Sequence, residues 1–291
     1  MQIIVNNIFL SLNDEEDKLE YKLAKMLHIQ KEDIESYKVI KKAVDARKKQ
    51  NIIFVYSLLV TLKHNIDISS FKDVSIPNFI EELDIPTIKM KHRPVVVGFG
   101  PAGMFLALYL ARAKTNPIVI ERGKSVEERD KDILNFKTKG EFLCESNTCF
   151  GEGGAGTYSD GKLITGIKDP RIRFCLNEFI KHGAPKNIYY EAHPHIGSDY
   201  LKSVVKNIRQ EIISLGGEVL FEHKLVDLNI KDNKISSVTI EHDNKKIKIE
   251  TDDCILAIGH SARDTFKMLF ERNVFMQPKP FSMGVRIEHL Q

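Results

Sequence analysis

Three β-branched residues, Val95, Val96 and Val97, run directly into Gly98-Phe99-Gly100-Pro101-Ala102-Gly103. Met104, Phe105, Leu108 and Ala111 then recur at helical spacing, and Pro101 falls in the first helical turn, where its missing N–H is no loss. Strand, G-x-G-x-x-G turn and helix in that order are the parts of a dinucleotide-binding unit. Gly98 permits the tight turn, Gly100 lets the main chain approach a diphosphate with no Cβ in the way, and Gly103 allows close helix packing. Pro101 and Ala102 open the helix whose positive end meets the phosphates. A second strand over residues 117–120 ends at Glu121, 23 residues after Gly98, where a carboxylate accepts hydrogen bonds from a ribose diol and disfavours a 2′-phosphate. Arg122 follows it and is counted with the cofactor-binding residues. These parts point to an adenine dinucleotide and do not separate a flavin from a nicotinamide.

Such a unit implies an α/β fold with a Rossmann-like parallel sheet, here over residues 93–275. Of the 17 glycines, 7 lie between Gly140 and Gly166, and residues 150–163 read FGEGGAGTYSDGKL. So many small residues keep the main chain open to a close neighbour. Thr157, Ser159, Asp160 and Lys162 add donors and acceptors, more than a mobile surface loop requires. Ser198 is expected to cap a helix reaching about residue 215, with Leu201, Val204, Val205, Ile208, Ile212 and Ile213 on its buried face and Gly216-Gly217 as the stop. Residues 218–221 read as the next parallel strand. Residues 222–250 read as a β-meander with strands near 225–230, 235–241 and 247–250, turned at Asp232-Asn233 and Asp243-Asn244. Residues 253–259 read as a buried strand ending at Gly259, with His260 or Ser261 opening a further helix. Ligands of doubly wound sheets collect at such carboxyl ends.

Residues 1–63 precede this unit as a small α+β domain. Strands are expected near 3–10, 34–44 and 52–62, and a helix carries Leu19, Leu23, Met26 and Leu27. Asp45-Ala46-Arg47-Lys48-Lys49 reads as a solvated turn, because residues 1–90 hold 13 basic and 14 acidic residues and lack the electrostatic footprint of a nucleic-acid binder. Residues 64–92, with Pro77 and Pro86, read as a linker. A net charge of +3 over 291 residues is too small for the field of a nucleic-acid or membrane-surface protein. The amino terminus has no basic start, and the longest apolar stretch, 52–62, is too short to span a bilayer, so the expectation is a cytoplasmic protein with no membrane contact. Cys144, Cys149, Cys175 and Cys254 read as reduced thiols, with Cys144 and Cys149 a weak redox pair. His193 and His195 lack the further ligands of a metal site, and no G-x-S-x-G elbow is present.

The motifs together resemble a family. Gly98 to Gly103, Glu121, residues 150–163, His193-Pro194-His195-Ile196-Gly197, residues 255–264 (ILAIGHSARD) and residues 281–289 (FSMGVRIEH) are similar to those of the uncharacterised bacterial FAD-dependent dehydrogenases. These are flavoproteins with a glutathione-reductase-type FAD domain and a small amino-terminal α+β domain, and the similarity runs through essentially the whole chain. The resemblance implies that Gly98, Gly100 and Gly103 hold the FAD diphosphate and Glu121 the AMP ribose. It also implies that the strand at Leu225-Val226 passes near adenine and that Gly153, Gly154, Gly156 and Gly259 flank the cofactor, with NAD(P)H the candidate electron donor. Members of the family continue beyond the equivalent of Gln291, so residues 276–291 are expected to begin a substrate-side domain that is cut short, its remaining portion the missing partner. His260 and Arg263, just after a strand end, are candidates to tune a flavin or orient an anionic substrate; Asp160 and Lys162 are candidates to touch ribityl or substrate oxygens. Two functions compete. One is an FAD-dependent oxidoreductase passing a hydride between flavin and an unidentified small molecule; the other is a nucleotide-binding module with a structural or sensing ligand and a protein partner. An NAD-dependent enzyme without flavin is a third reading.

Overall fold

The computed structural model describes residues 1–159, 161–280, 284–285, 287 and 289–290. Asp160 and part of the expected further domain at 276–291 therefore lie outside the described residues, as does much of the 281–289 motif.

The amino-terminal unit is built from β1 (Gln2–Ser11), α1 (Lys18–Leu27), β2 (Ile34–Asp45) and β3 (Ile53–Leu62), with the two-residue β4 (Val74–Ser75) completing a four-stranded sheet of order β2-β3-β1-β4. β3 pairs antiparallel with both β1 and β2. β1 and β2 are thus parallel on either side of it, and α1 makes the crossover. Alternation along β1 buries Ile3, Val5, Ile8 and Leu10 against Leu19, Leu23, Ala24 and Leu27 of α1. A bulge at Asn6-Asn7, where Asn7 has φ 56°, restores that alternation, and Asn6 N–H donates to Asp73 O at 2.8 Å. β4 lies inside the segment read as a linker, which is less free than that reading implied. Ile80 N–H donates to Pro170 O at 2.8 Å and Ile88 N–H to Ala113 O at 2.9 Å, so the segment is strapped along the second unit.

The second unit opens with β5 (Val95–Val97), α2 (Pro101–Arg112) and β6 (Ile118–Ile120), followed by α3 (Val126–Lys139), α4 (Ile172–Lys181), α5 (Ser198–Ser214) and β7 (Glu218–Leu220). The meander comprises β8 (Lys224–Lys231), β9 (Lys234–His242) and β10 (Lys245–Glu250), and β11 (Cys254–Leu256) and α6 (Arg263–Glu271) close the unit. The parallel sheet has the order β11-β5-β6-β7. In chain order that is 3-2-1-4 reversed, the arrangement of a Rossmann half, with its switch point between β5 and β11. Side chains alternate across it. Val96 and Val119 pack on Met104, Ala107 and Leu108 of α2 and on Val204, Ile208 and Ile212 of α5, whereas Val95, Val97, Ile118 and Ile120 face Leu225, Leu228, Val238 and Ile240 of the meander. The fold is α/β, a helical layer, a parallel sheet and an antiparallel meander.

Several local expectations shift. Gly197, with φ 84°, caps α5 and Ser198 is its first helical residue. β11 is shorter than 253–259 and only half-buried because it is an edge strand, and α6 begins at Arg263 rather than at His260 or Ser261. The meander turns fall where Asp232-Asn233 and Asp243-Asn244 place them, all four residues having φ near +50 to +59°. No helix among the described residues is long and apolar enough to cross a membrane.

Candidate functional site

A cleft of about 530 Å³ opens at the switch point, lined by the carboxyl ends of β5, β6 and β11 and by the glycine-rich segment. Gly98, Gly100, Pro101, Ala102, Glu121, Arg122, Gly154 and Gly259 all line it, as does His260. The fingerprint glycines divide into two kinds. A Cβ on Gly98, at φ +97°, would lie 2.4 Å from Ala257 O, and one on Gly103 would lie 1.9 Å from Gly98 O, so both are required by the protein's own packing. Gly100 is different: it has an ordinary extended conformation, and a Cβ would meet only Gly154 Cα at 3.8 Å. The chain itself gives no reason for a glycine there, whereas a ligand approaching the main chain does. Gly100 is the N-cap of α2, Pro101 is N1, and the first turn of the helix carries no acidic side chain.

Glu121 assembles the cleft floor. It is 5 % exposed, and its carboxylate accepts N–H donors from Phe99 at 2.8 Å, Gly123 at 2.9 Å and Gly151 at 3.0 Å. These three amides belong to the first glycine turn, the turn after β6 and the glycine-rich segment. Gly153 N–H donates to Phe99 O at 2.8 Å, and a Cβ on Gly154 would lie 3.2 Å from Gly100 Cα, so the two glycine motifs touch main chain to main chain.

Arg129 supports the segment from behind. Fully buried, it donates to Asn147 O, Glu152 O and Gly154 O at 2.7–2.9 Å and stacks on Tyr158, 4.7 Å from the ring centre. A Cβ on Gly151 would collide with its Cδ at 2.5 Å. Glu152, also buried, accepts the Val126 N–H at 2.9 Å and faces Arg209 at 3.2 Å; burial outweighs both and pushes its pKa up to about 7.

At the rim, Arg122 stacks on Phe150 at 4.3 Å and donates to Glu145 and, in a bidentate pair at 2.8 and 2.9 Å, to Asp264. Lys224 reaches the same two carboxylates, and Arg122, with Lys224 beside it, holds the Asp264 carboxyl well below the usual range. Ser261 Oγ and His260 Nδ1 are 2.8 Å apart on the cleft wall.

Other expected residues lie off the cleft. Gly153 is a glycine for an internal reason, since its Cβ would sit 2.0 Å from Thr157 Oγ1, and Gly156 has open space around it. Lys162 forms a main-chain bridge with His195. Val226 is displaced because its neighbours His223, Lys224 and Leu225 supply the β8 contribution, and Arg263 yields to Asp264, which holds Arg122. Sequence reasoning did not place Gly123, Cys149 or Lys224 at the site, and it held Phe150, Gly151 and Asp264 only as members of the 150–163 and 255–264 motifs, with no individual role. Arg129 carried a readable signal, a charge between Val126 and Ile133 on the apolar face of α3.

Comparison with known proteins adds the following. A family model described as "Domain of unknown function (DUF8436)" matches residues 1–61. An uncharacterized protein of Clostridium beijerinckii is 49% identical over 296 residues, a match covering 100% of this chain and 55% of that protein. The chain thus spans about half the length of the curated relative it matches. Among solved structures, THI4 of Thermovibrio ammonificans is 14% identical with a TM-score of 0.42, the match covering 63% of this chain and 64% of that one. A geranylgeranyl bacteriochlorophyll reductase-like protein of Thermoplasma acidophilum is 14% identical with a TM-score of 0.38, over 64% of this chain and 43% of that one.

Two outcomes follow. Gly103→Ala is expected to lower stability by about 3 kcal/mol through a main-chain clash, and Gly100→Ala by under about 1 kcal/mol as a weaker N-cap, both read from urea unfolding. Glu152 titrates in the folded state near 7 against an ordinary 4.5, so the folded state keeps a proton that the unfolded state has released. Its contribution to stability is present below about pH 4.5 and is lost as pH rises through about 7. The melting temperature of the wild type should therefore fall relative to Glu152→Gln between about pH 5 and pH 8, and parallel profiles would contradict the assignment.

Proposed function

We propose that the cleft binds FAD and that the chain is the cofactor-binding part of an oxidoreductase passing a hydride between the flavin and a small molecule. The observation that carries this reading is Gly100: at the amino end of α2, on the cleft wall, it lacks a Cβ that the surrounding protein would tolerate. Gly98, Gly100, Pro101 and Ala102 would hold the diphosphate, with the α2 amino end supplying positive potential. Glu121 has three of its roughly four acceptor positions engaged by main-chain amides, which leaves one on Oε2 for a ribose hydroxyl. His223, Lys224 and Leu225 would meet the adenine end, and the stacked Arg122–Phe150 pair would close it from solvent. Flavin rather than nicotinamide rests on the resemblance of residues 150–163 and of the GHSARD segment to flavoproteins.

When bound, FAD supplies the hydride chemistry; the protein orients it, excludes water and sets nearby charge. Leu256, Ile258, Phe266 and Leu269 give the cleft an apolar wall that limits solvent. His260, hydrogen-bonded to Ser261, sits beside that wall, where its ring nitrogen and the Ser261 hydroxyl would be a donor and acceptor pair toward a bound molecule. The reacting small molecule, NAD(P)H as donor and a cytoplasmic setting remain parts of the proposal.

The test is to equilibrate the 291-residue chain with FAD, remove free flavin by gel filtration and record the visible spectrum. Retained flavin that ADP displaces, with affinity weakened roughly tenfold or more in Gly100→Ala, the equivalent of about 1.4 kcal/mol, is the expected result. Failure of the wild type to retain FAD, retention of NAD alone, or an unchanged Gly100→Ala would contradict it.

A further inference from the structure

A second cavity, of about 470 Å³, lies where β2, the 64–92 segment and residues 163–194 meet, and shares no lining residue with the nucleotide cleft. Its size suits a small organic molecule. Phe79, Tyr189 and Tyr190 give it an aromatic wall.

The charges around it are unbalanced. Of its carboxylates, Asp169 is held in a bidentate pair by Arg171 at 2.9 and 2.7 Å, and Glu191 accepts from Asn187 at 2.7 Å. Glu81, beside Tyr189, is engaged by Lys38 at 2.8 Å and by the Tyr189 hydroxyl. Three cations also line the cavity. Among the described residues neither Lys41 nor Lys168 has an ion-pair partner. Arg173 donates to the main-chain oxygens of Ile40, at 2.6 Å, and of Tyr189, and stacks 4.5 Å from the Tyr189 ring and 5.7 Å from the Phe79 ring. No carboxylate touches its guanidinium among the described residues, and burial lowers its pKa from the ordinary arginine value. Glu81 acts on the Arg173 guanidinium without touching it, so this half-buried cation is only partly compensated, and an entering anion would complete the compensation.

We propose that this cavity binds a small aromatic carboxylate, its ring against Phe79, Tyr189 and Tyr190 and its charge toward Lys41, Lys168 and Arg173. Because the walls come from both units of the chain, the ligand also ties the amino-terminal sheet to the nucleotide-binding unit. This inference is independent of the flavin proposal.

The probe is 4-fluorobenzoate, titrated against the whole chain and followed by fluorine NMR at fixed ionic strength, with neutral 4-fluorobenzamide as control. Saturable broadening of the benzoate signal, none of the amide signal, and a roughly tenfold or greater loss of affinity in Lys41→Glu/Lys168→Glu are expected. Both lysines are exposed, so the double variant should fold; Lys168→Gln, with a smaller loss, serves if it does not. The proposal is overturned by an absence of saturable binding, by equal binding of the amide, by unchanged affinity in the variants, or by displacement of the probe with ADP, which would place it in the other cleft.

Discussion

The buried carboxylate of Glu121 is the interaction on which the cleft depends. Its three main-chain donors come from segments far apart in the chain, Phe99, Gly123 and Gly151, and no other group among the described residues contacts all three. A carboxylate accepting several amide hydrogen bonds in a low-dielectric setting is a strong local constraint. It fixes the distance between the turn after β5 and the glycine-rich segment. That distance sets the width of the cleft.

The sheet order puts this constraint in the place where it can serve a ligand. β5 and β11 are neighbours in space, and the chain leaves them toward opposite sides of the sheet, so their carboxyl ends part and leave a crevice. The helical layer and the meander close both faces of the sheet, and the crevice is where main chain rather than side chain meets solvent. Gly98 and Gly103 are explained by packing inside that corner, whereas Gly100 and the start of α2, which carries no side-chain cap, are left facing the crevice. The support beneath is ionic and buried: Arg129 gathers three carbonyl groups, and Glu152 links the segment to α3 and α5.

Much of this was legible in the residues. Val95 to Gly103 specified strand, turn and helix because each residue type there has a local reason. The two Asx-Asn turns set the meander for the same reason, since Asp and Asn tolerate a positive φ. What escaped was non-local. Glu121 was readable as a ribose ligand but not as a staple, because Gly123 and Gly151 acquire their meaning only when the segments are brought together. Asp264 was passed over for Arg263 because the phase of α6, which begins at Arg263 rather than at His260, decides which of the two faces Arg122. α3 lacked a clear apolar period, since its buried face carries Arg129 and Asp132, charges satisfied by Asn147, Glu152, Gly154 and Ser146 of the segment that follows. α4 does carry an apolar stripe, Ile172, Leu176, Phe179 and Ile180, which was legible and passed over.

The most direct measurement is residue-resolved amide hydrogen exchange on the wild type and on Glu121→Ala. If the carboxylate assembles the cleft, the amides of Phe99, Gly123 and Gly151 lose protection together while those of α2 and the meander keep theirs. Protection that persists at all three amides, or is lost at only one of them, would contradict the account.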